Sequence, residues 1–235
     1  MKKNKSRRRR VLRWTLVVVA VLLVIPALQV ATLWFINPPT TGPILIRWCA
    51  GKISSKPYIA SKYQWVDLNS VSVSFSSFVW SWEDCRFFEH WGFDGEEILE
   101  AMAEARKTGK PARGASTITQ QCARSLFLWH GRSWPRKGLE AYYTIWMELL
   151  LSKRRIFELY VNVIEFGDGV YGIESASRYY YGVSSKELSR EQAALLVAVL
   201  SQPRVLDPRH PTEKMLWRQA KILERSKNLG FPIKE

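Results

Sequence analysis

Residues 114–128 read GASTITQQCARSLFL. Thr117 and Gln120 stand at the T-x-x-Q spacing of a capping box, in which a hydroxyl and an amide satisfy backbone N–H groups that a first helical turn leaves without partners. The spacing predicts a helix over residues 117–128. On one side of it, residues 96–106 set Ile98, Met102 and Ala105 among charges at helical intervals. On the other, residues 136–162 contain neither Gly nor Pro after Gly138 and read as one long helix. Residues 191–200 and 212–229 add two more, the last with Gly230 as a stop. The stretch EARKTGKPAR, residues 104–113, reads as a loop, because Gly109 and Pro111 break helices and its charges resist burial. The only strand-like alternation is Val71, Val73 and Phe75, too little for a sheet-based domain. The expected fold class is therefore mainly α.

The chain has 235 residues, enough for one packed domain and an appendage but not for two large domains. Its 47% hydrophobic and 24% charged content excludes a disordered or collagen-like chain. Lys and Arg outnumber Asp and Glu by 35 to 21, giving +14, and the excess is concentrated. Residues 1–13 hold eight basic and no acidic side chains, leaving 27 against 21 in the rest. Residues 14–36 then carry no ionisable group, and as a helix they reach ~34 Å, enough for a ~30 Å hydrocarbon layer. A signal peptide has a shorter apolar region, and no A-x-A cleavage pattern closes this one. The expectation is a cytoplasmic basic tail (1–13), a transmembrane anchor (14–36), a juxtamembrane linker or domain start (37–70) and an exported domain (71–235). Nucleic-acid binding loses its main support, since the basic run flanks a span.

Three Cys, at 49, 85 and 122, are too widely spaced for a C-x-x-C pattern; a disulfide with one free thiol and three free thiols both fit, and three small buried hydrophobes fit best. His90, His130 and His210 exclude an H-E-x-x-H zinc site. Three clusters can carry chemistry. In EDCRFFEHWGFD, residues 83–94, aromatics beside a carboxylate raise its pKa and suit a general base, although a helix end with solvated acids has the same composition. At 114–124, hydroxyls, two amides and Arg124 at a helix start favour an anion such as phosphate, although a polar cap needs no ligand. At RSWPRKGLE, residues 132–140, Arg136 and Glu140 share a helix face beside Lys137, as a surface ion pair also would. Phe127, Trp129 and Trp134 suit lipid headgroups or a buried core equally.

Taken together, E-D-x-x-F-x-x-H-x-G-x-D at 83–94, G-A-S-T-I-T-Q-Q at 114–121 and R-K-x-x-E at 136–140 resemble the first three signature motifs of the peptidoglycan glycosyltransferases of family 51, the domain shared with class A penicillin-binding proteins. KRRIFELYVN at 153–162, continuing through Glu165 to Gly172, and AALLVAVLSQP at 193–203 resemble the remaining two, in order. No S-x-x-K serine motif occurs, so the chain resembles the stand-alone, monofunctional members and lacks transpeptidase chemistry.

The resemblance implies a lysozyme-like, bilobal fold and polymerisation of lipid II into β-1,4 glycan with inversion and release of undecaprenyl pyrophosphate. Glu83 matches the family's general base and Glu140 its second carboxylate, with a role in organising a divalent cation, Mg or Mn, or basic residues. Ser116, Thr117, Gln120, Gln121, Arg124, Arg132, Arg136, Lys137 and Asn162 match substrate-binding positions. Family members usually have Lys where Arg124 stands, which alters the donor geometry there. The implied partners are lipid II, the growing strand, the membrane, and penicillin-binding and division proteins, with no nucleic acid. The implied location is a bacterial inner membrane with the catalytic domain in the periplasm. The competing readings are a lysozyme-like glycan-cleaving enzyme and a non-catalytic membrane scaffold.

Overall fold

The computed structural model describes residues 2–54, 60–110, 114–131, 133–228 and 231–232, with side chains from Arg8 onward, Arg9 and Asn228 excepted. The described residues form ten α-helices and one small sheet. The first helix, α1 (Lys2–Thr32), joins the basic tail to the apolar stretch, and its Arg10–Thr32 portion is long and apolar enough to cross a membrane. Its C-terminal end meets the body, where Val30 and Leu33 are buried in the core. In the 37–70 stretch, α2 (Gly42–Ile53) lies against α5 (Ile118–Phe127) and β1 (Lys62–Tyr63) joins the sheet; residues 55–59 lie outside the described set.

α3 (Val73–Glu83) occupies the segment where alternation suggested a strand. The spacing of Phe75, Phe78, Val79 and Trp82 is helical, and the buried Phe75, Phe78 and Val79 outweigh three alternating positions. α4 (Gly95–Thr108) continues through the residues expected to form a loop and stops at Gly109, whose φ of 66° is the left-handed cap. Glu104, Arg106 and Lys107 resist burial, not helix formation. Residues 111–113 lie outside the described set. The expected helix over 136–162 is two, α6 (Trp134–Leu150) and α7 (Lys153–Val163). Ser152 makes the break by accepting the Arg155 N–H as an N-cap, so neither Gly nor Pro is needed.

α8 (Ile173–Tyr181), α9 (Arg190–Val199) and α10 (Glu213–Arg225) complete the helices; a short 3₁₀ turn, Ser226–Asn228, follows, and Gly230 lies outside the described residues. The sheet order is β1-β3-β2: β3 (Val170–Tyr171) is parallel to β1 and antiparallel to β2 (Glu165–Gly167). α3, α9 and α10 pack as one group and α5, α6 and α7 as another. Phe75, Phe78, Phe87, Ile118, Phe157 and Tyr160, all fully buried, run through the core that joins them. The cysteines are all free; only Cys122 is buried, and Cys49 and Cys85 are exposed, contrary to the expectation of three buried ones. Trp129 and Trp134 face solvent, whereas Phe127 stacks on Tyr143 at 4.2 Å.

Candidate active site

The chain after α3 turns sharply at Gly92, whose φ is 76°. A Cβ there would lie 2.6 Å from the Thr144 side chain of α6, so only glycine lets this turn reach that helix. Thr117 ties the turn down by donating its hydroxyl to the Gly92 carbonyl at 2.7 Å. Thr117 and Gln120 form the expected capping box, and Asp84 adds a further cap by accepting the Ile118 N–H at 2.9 Å. His90 Nε2 holds that same carboxylate at 3.0 Å, while Asp94 caps α4 and pairs with Arg86. These contacts bring the end of α3, the start of α5 and the C-terminal half of α6 together.

Glu83, the last residue of α3, accepts a hydrogen bond from Gln121 Nε2 at 3.0 Å. Gln121 is itself oriented, since its carbonyl oxygen accepts the Tyr160 hydroxyl at 3.2 Å and its amide also donates to the Ser116 carbonyl at 3.3 Å. Burial pushes the Glu83 carboxyl above its usual range, against the Gln121 hydrogen bond and the charges of Arg124 and Arg218, with Asp84 reinforcing the rise. Glu83 lines a chamber of about 430 Å³ together with Trp82, Cys85, Glu97, Ser116 and Arg225.

A second chamber, of about 530 Å³, is lined by Arg124, Ser133, Trp134, Arg136, Lys137 and Glu140. Gly114 and Ser116 line both chambers. Glu140 is fully buried; Arg136 Nη1 donates to its Oε2 at 3.0 Å, Lys137 Nζ donates to its Oε1, and Arg124 Nη1 lies 3.9 Å from Oε2. Lys137 also donates to the Ser116 hydroxyl at 3.1 Å. Three cations around one carboxylate leave net positive charge, and the buried Arg136 Nε has no hydrogen-bond partner among the described residues. Such a chamber suits an anion with several oxygens.

The donor set does not suit a divalent cation. Both Glu140 oxygens are engaged by cations, and no second carboxylate lines this chamber among the described residues. The cluster with metal-like spacing, Asp84, His90 and Asp94, is committed to helix caps and Arg86.

Of the residues singled out from sequence, Glu83, Ser116, Thr117, Arg124, Arg136, Lys137 and Glu140 meet around the two chambers. Gln121 stands behind Glu83. Gln120 lines neither chamber; its side chain closes the helix cap. Asn162 is fully buried, bonding Val66 N–H and C=O and the Glu158 carbonyl, so it clamps the 62–68 segment rather than the cleft. Arg132 lies outside the described residues. Sequence reasoning passed over Arg218, Arg225 and Tyr160, and also the belt in which Arg204 holds Glu165 at 3.0 Å beside His130. Desolvation keeps His130 below its usual range; Glu165 opposes this, and Arg204, Arg124 and Arg136 reinforce it. Tyr160 sits in the string already quoted, but nothing local marks Arg225, which lines the Glu83 chamber, or Arg218, which acts on Glu83 only through space; both depend on the packing of α10.

A family described as Transglycosylase matches residues 51–227. The chain belongs to the transglycosylase family. Similar proteins include the biosynthetic peptidoglycan transglycosylase of Xanthomonas campestris pv. campestris strain B100, 41% identical over 96% of this chain and 92% of that one. The protein of the same name from Haemophilus influenzae is 48% identical over 72% of this chain and 69% of its own, and that from Bdellovibrio bacteriovorus is 41% identical over 94% and 88%. This transglycosylase thus has the mainly helical, lysozyme-like fold expected of it, and the matched stretch begins at residue 51, inside the segment read as juxtamembrane linker or domain start.

Proposed function

We propose that the chain polymerises lipid II into peptidoglycan glycan strands, with Glu83 as general base and the Arg124, Arg136 and Lys137 chamber as the cradle for departing diphosphate. The observation that carries the reading is the pair of adjoining chambers, a desolvated carboxylate in one and clustered cations in the other, with Gly114 and Ser116 between them. The incoming sugar's 4-hydroxyl gives its proton to Glu83 as its oxygen attacks the anomeric carbon of the donor. The bond to diphosphate breaks on the opposite face, its electron pair goes to the leaving oxygen, and the α-linked donor becomes a β link. Fixed cations stabilise that developing charge without having to reorganise. Glu140, itself fully buried, keeps the three cations together, and no step passes through a metal ion.

A polyprenyl donor stays in the bilayer, which gives α1 its use: it holds the enzyme where the substrate is and raises effective concentration. The basic residues preceding the apolar stretch support an inner-membrane anchor with the N-terminus in the cytoplasm and the body in the periplasm. Penicillin-binding and division proteins are partners consistent with that setting. The test is incubation of the full chain, in vesicles of phosphatidylethanolamine and phosphatidylglycerol, with labelled lipid II and separately with preformed glycan. Muramidase-sensitive polymer from lipid II supports the reading; shortening of the preformed glycan without polymer overturns it in favour of a cleaving enzyme, and neither product overturns it in favour of a scaffold.

A further inference from the structure

α1 contains Pro26. Proline has no N–H, so the carbonyl four residues earlier, that of Leu22, is left without its intrahelical donor. Within a bilayer no water replaces that donor. The Tyr142 hydroxyl, from α6, donates to the Leu22 oxygen at 2.8 Å. Next to it Tyr143 donates to Gln29 Oε1, the one amide of the apolar stretch, at 2.7 Å. At the end of the helix Arg155 of α7 donates to the Leu33 and Ile36 carbonyls at 2.8 and 3.2 Å and to Asn37 Oδ1 at 2.7 Å. The Leu22 carbonyl, the Gln29 amide and the polar groups just past the end of α1 thus each meet a donor from the catalytic body.

We propose that Pro26 and Tyr142 are a positioning pair that docks the catalytic body on its anchor: the proline opens an acceptor in the membrane helix, and the tyrosine closes it. Leu22 lies ten residues before the end of α1, about 15 Å along its axis, so the docked face of α6 is drawn toward the hydrocarbon layer. The exposed apolar Ile145 and Leu149 of that helix suit this depth. Arg136 and Glu140 sit on the buried side of the same helix, so the dock also sets the height of the cationic chamber above the bilayer. The inference rests on the proposed reading of α1 as membrane-embedded and of the substrate as lipid-linked.

The experiment uses the full chain with Cys49→Ser and Cys85→Ser, a nitroxide on Ile145→Cys, and phosphatidylethanolamine/phosphatidylglycerol nanodiscs, reading label depth by power saturation. Tyr142→Phe is expected to move the label toward water and to slow polymerisation of undecaprenyl lipid II in vesicles about 3- to 10-fold, the scale of one interhelical hydrogen bond in a membrane. Turnover of a short-chain, water-soluble lipid II analogue in detergent is expected to match the parent. Pro26→Ala restores the intrahelical donor, so Tyr142→Phe added to it is expected to have little further effect. Unchanged label depth in both single variants, or additive shifts in the double variant, overturns the pairing. Absence of polymer from the parent protein overturns the proposed function instead, and leaves the depth measurement to decide the dock.

Discussion

Glu83 and Glu140 are the same side chain in opposite settings a short distance apart. Glu83 has a neutral amide as its hydrogen-bond donor, with Arg124 and Arg218 acting only through space, and desolvation prevails, so its carboxyl holds its proton above the ordinary range. Glu140 is more deeply enclosed, yet Arg136 and Lys137 touch it directly and Arg124 stands near. Burial alone therefore does not decide what a carboxylate does; the charge of its immediate donors does. A carboxylate facing an amide is suited to taking up a proton, and one ringed by cations is suited to holding them in place.

The largest expected effect comes from making the first site neutral. Glu83→Gln keeps shape and the contact to Gln121 but removes the proposed proton acceptor, and polymerisation is expected to fall about 10²- to 10⁴-fold. The same variant is expected to melt higher at neutral pH. A carboxyl whose folded pKa is raised binds more protons folded than unfolded, so stability falls as pH rises from the ordinary carboxylate range through the raised value, and an amide does not titrate. Loss of activity with unchanged or lowered melting temperature would break the desolvation argument.

Glu140→Gln should do the reverse, costing stability first. It leaves Arg136 and Lys137 facing an amide in a buried site, and the expected destabilisation is about 3–5 kcal/mol, read by chemical denaturation. If the fold loses less than the activity does, Glu140 takes part in chemistry rather than holding the cradle. Lys137→Met comes next: it removes one donor from the proposed diphosphate site, with an expected drop in turnover of about 10²-fold and a loss of fold stability smaller than that of Glu140→Gln, because Arg136 still pairs the buried carboxylate and Lys137 itself is partly exposed. A change confined to KM would mean that the lysine binds ground state and transition state alike.

Much of this contrast was legible before the structure, and the exceptions have physical causes. The capping box at Thr117 and Gln120 is local chemistry and forms as read. Glu83, Arg124, Lys137 and Glu140 sit in motifs whose spacing survives folding. The helix break at Leu151 was not visible, because Ser152 ends one helix and starts another using a side chain found anywhere on a surface. α3 was obscured by three alternating residues at its start, although the positions that follow are helical. Asn162 matched a binding position yet holds Val66, since a motif records residue type and not which neighbour the residue meets. Arg225 lines the Glu83 chamber, and Arg218 acts on Glu83 through space, only because α10 packs on α3 and α9, a long-range fact with no local signature.

The finest difference between the two carboxylates lies one residue behind Glu83. Gln121 can present either its N–H₂ or its oxygen to that carboxylate, and the Tyr160 hydroxyl, donating to the Gln121 oxygen at 3.2 Å, selects the N–H₂. Tyr160 is fully buried and burial holds its phenol well above the usual range, so it stays a donor across the working pH range. Tyr160→Phe leaves the Gln121 oxygen buried without a donor, which is expected to cost about 1–3 kcal/mol of stability. It also lets the amide turn its oxygen toward Glu83, where it destabilises the ionised base. The acid limb of the rate profile should then move to higher pH, by about half a unit, which lowers turnover about 3-fold on that limb and leaves the plateau unchanged. A fall in the plateau with no shift of the limb would mean that Tyr160 supports only the packing, and that Gln121 needs no orienting partner to keep Glu83 apart from Glu140 in character.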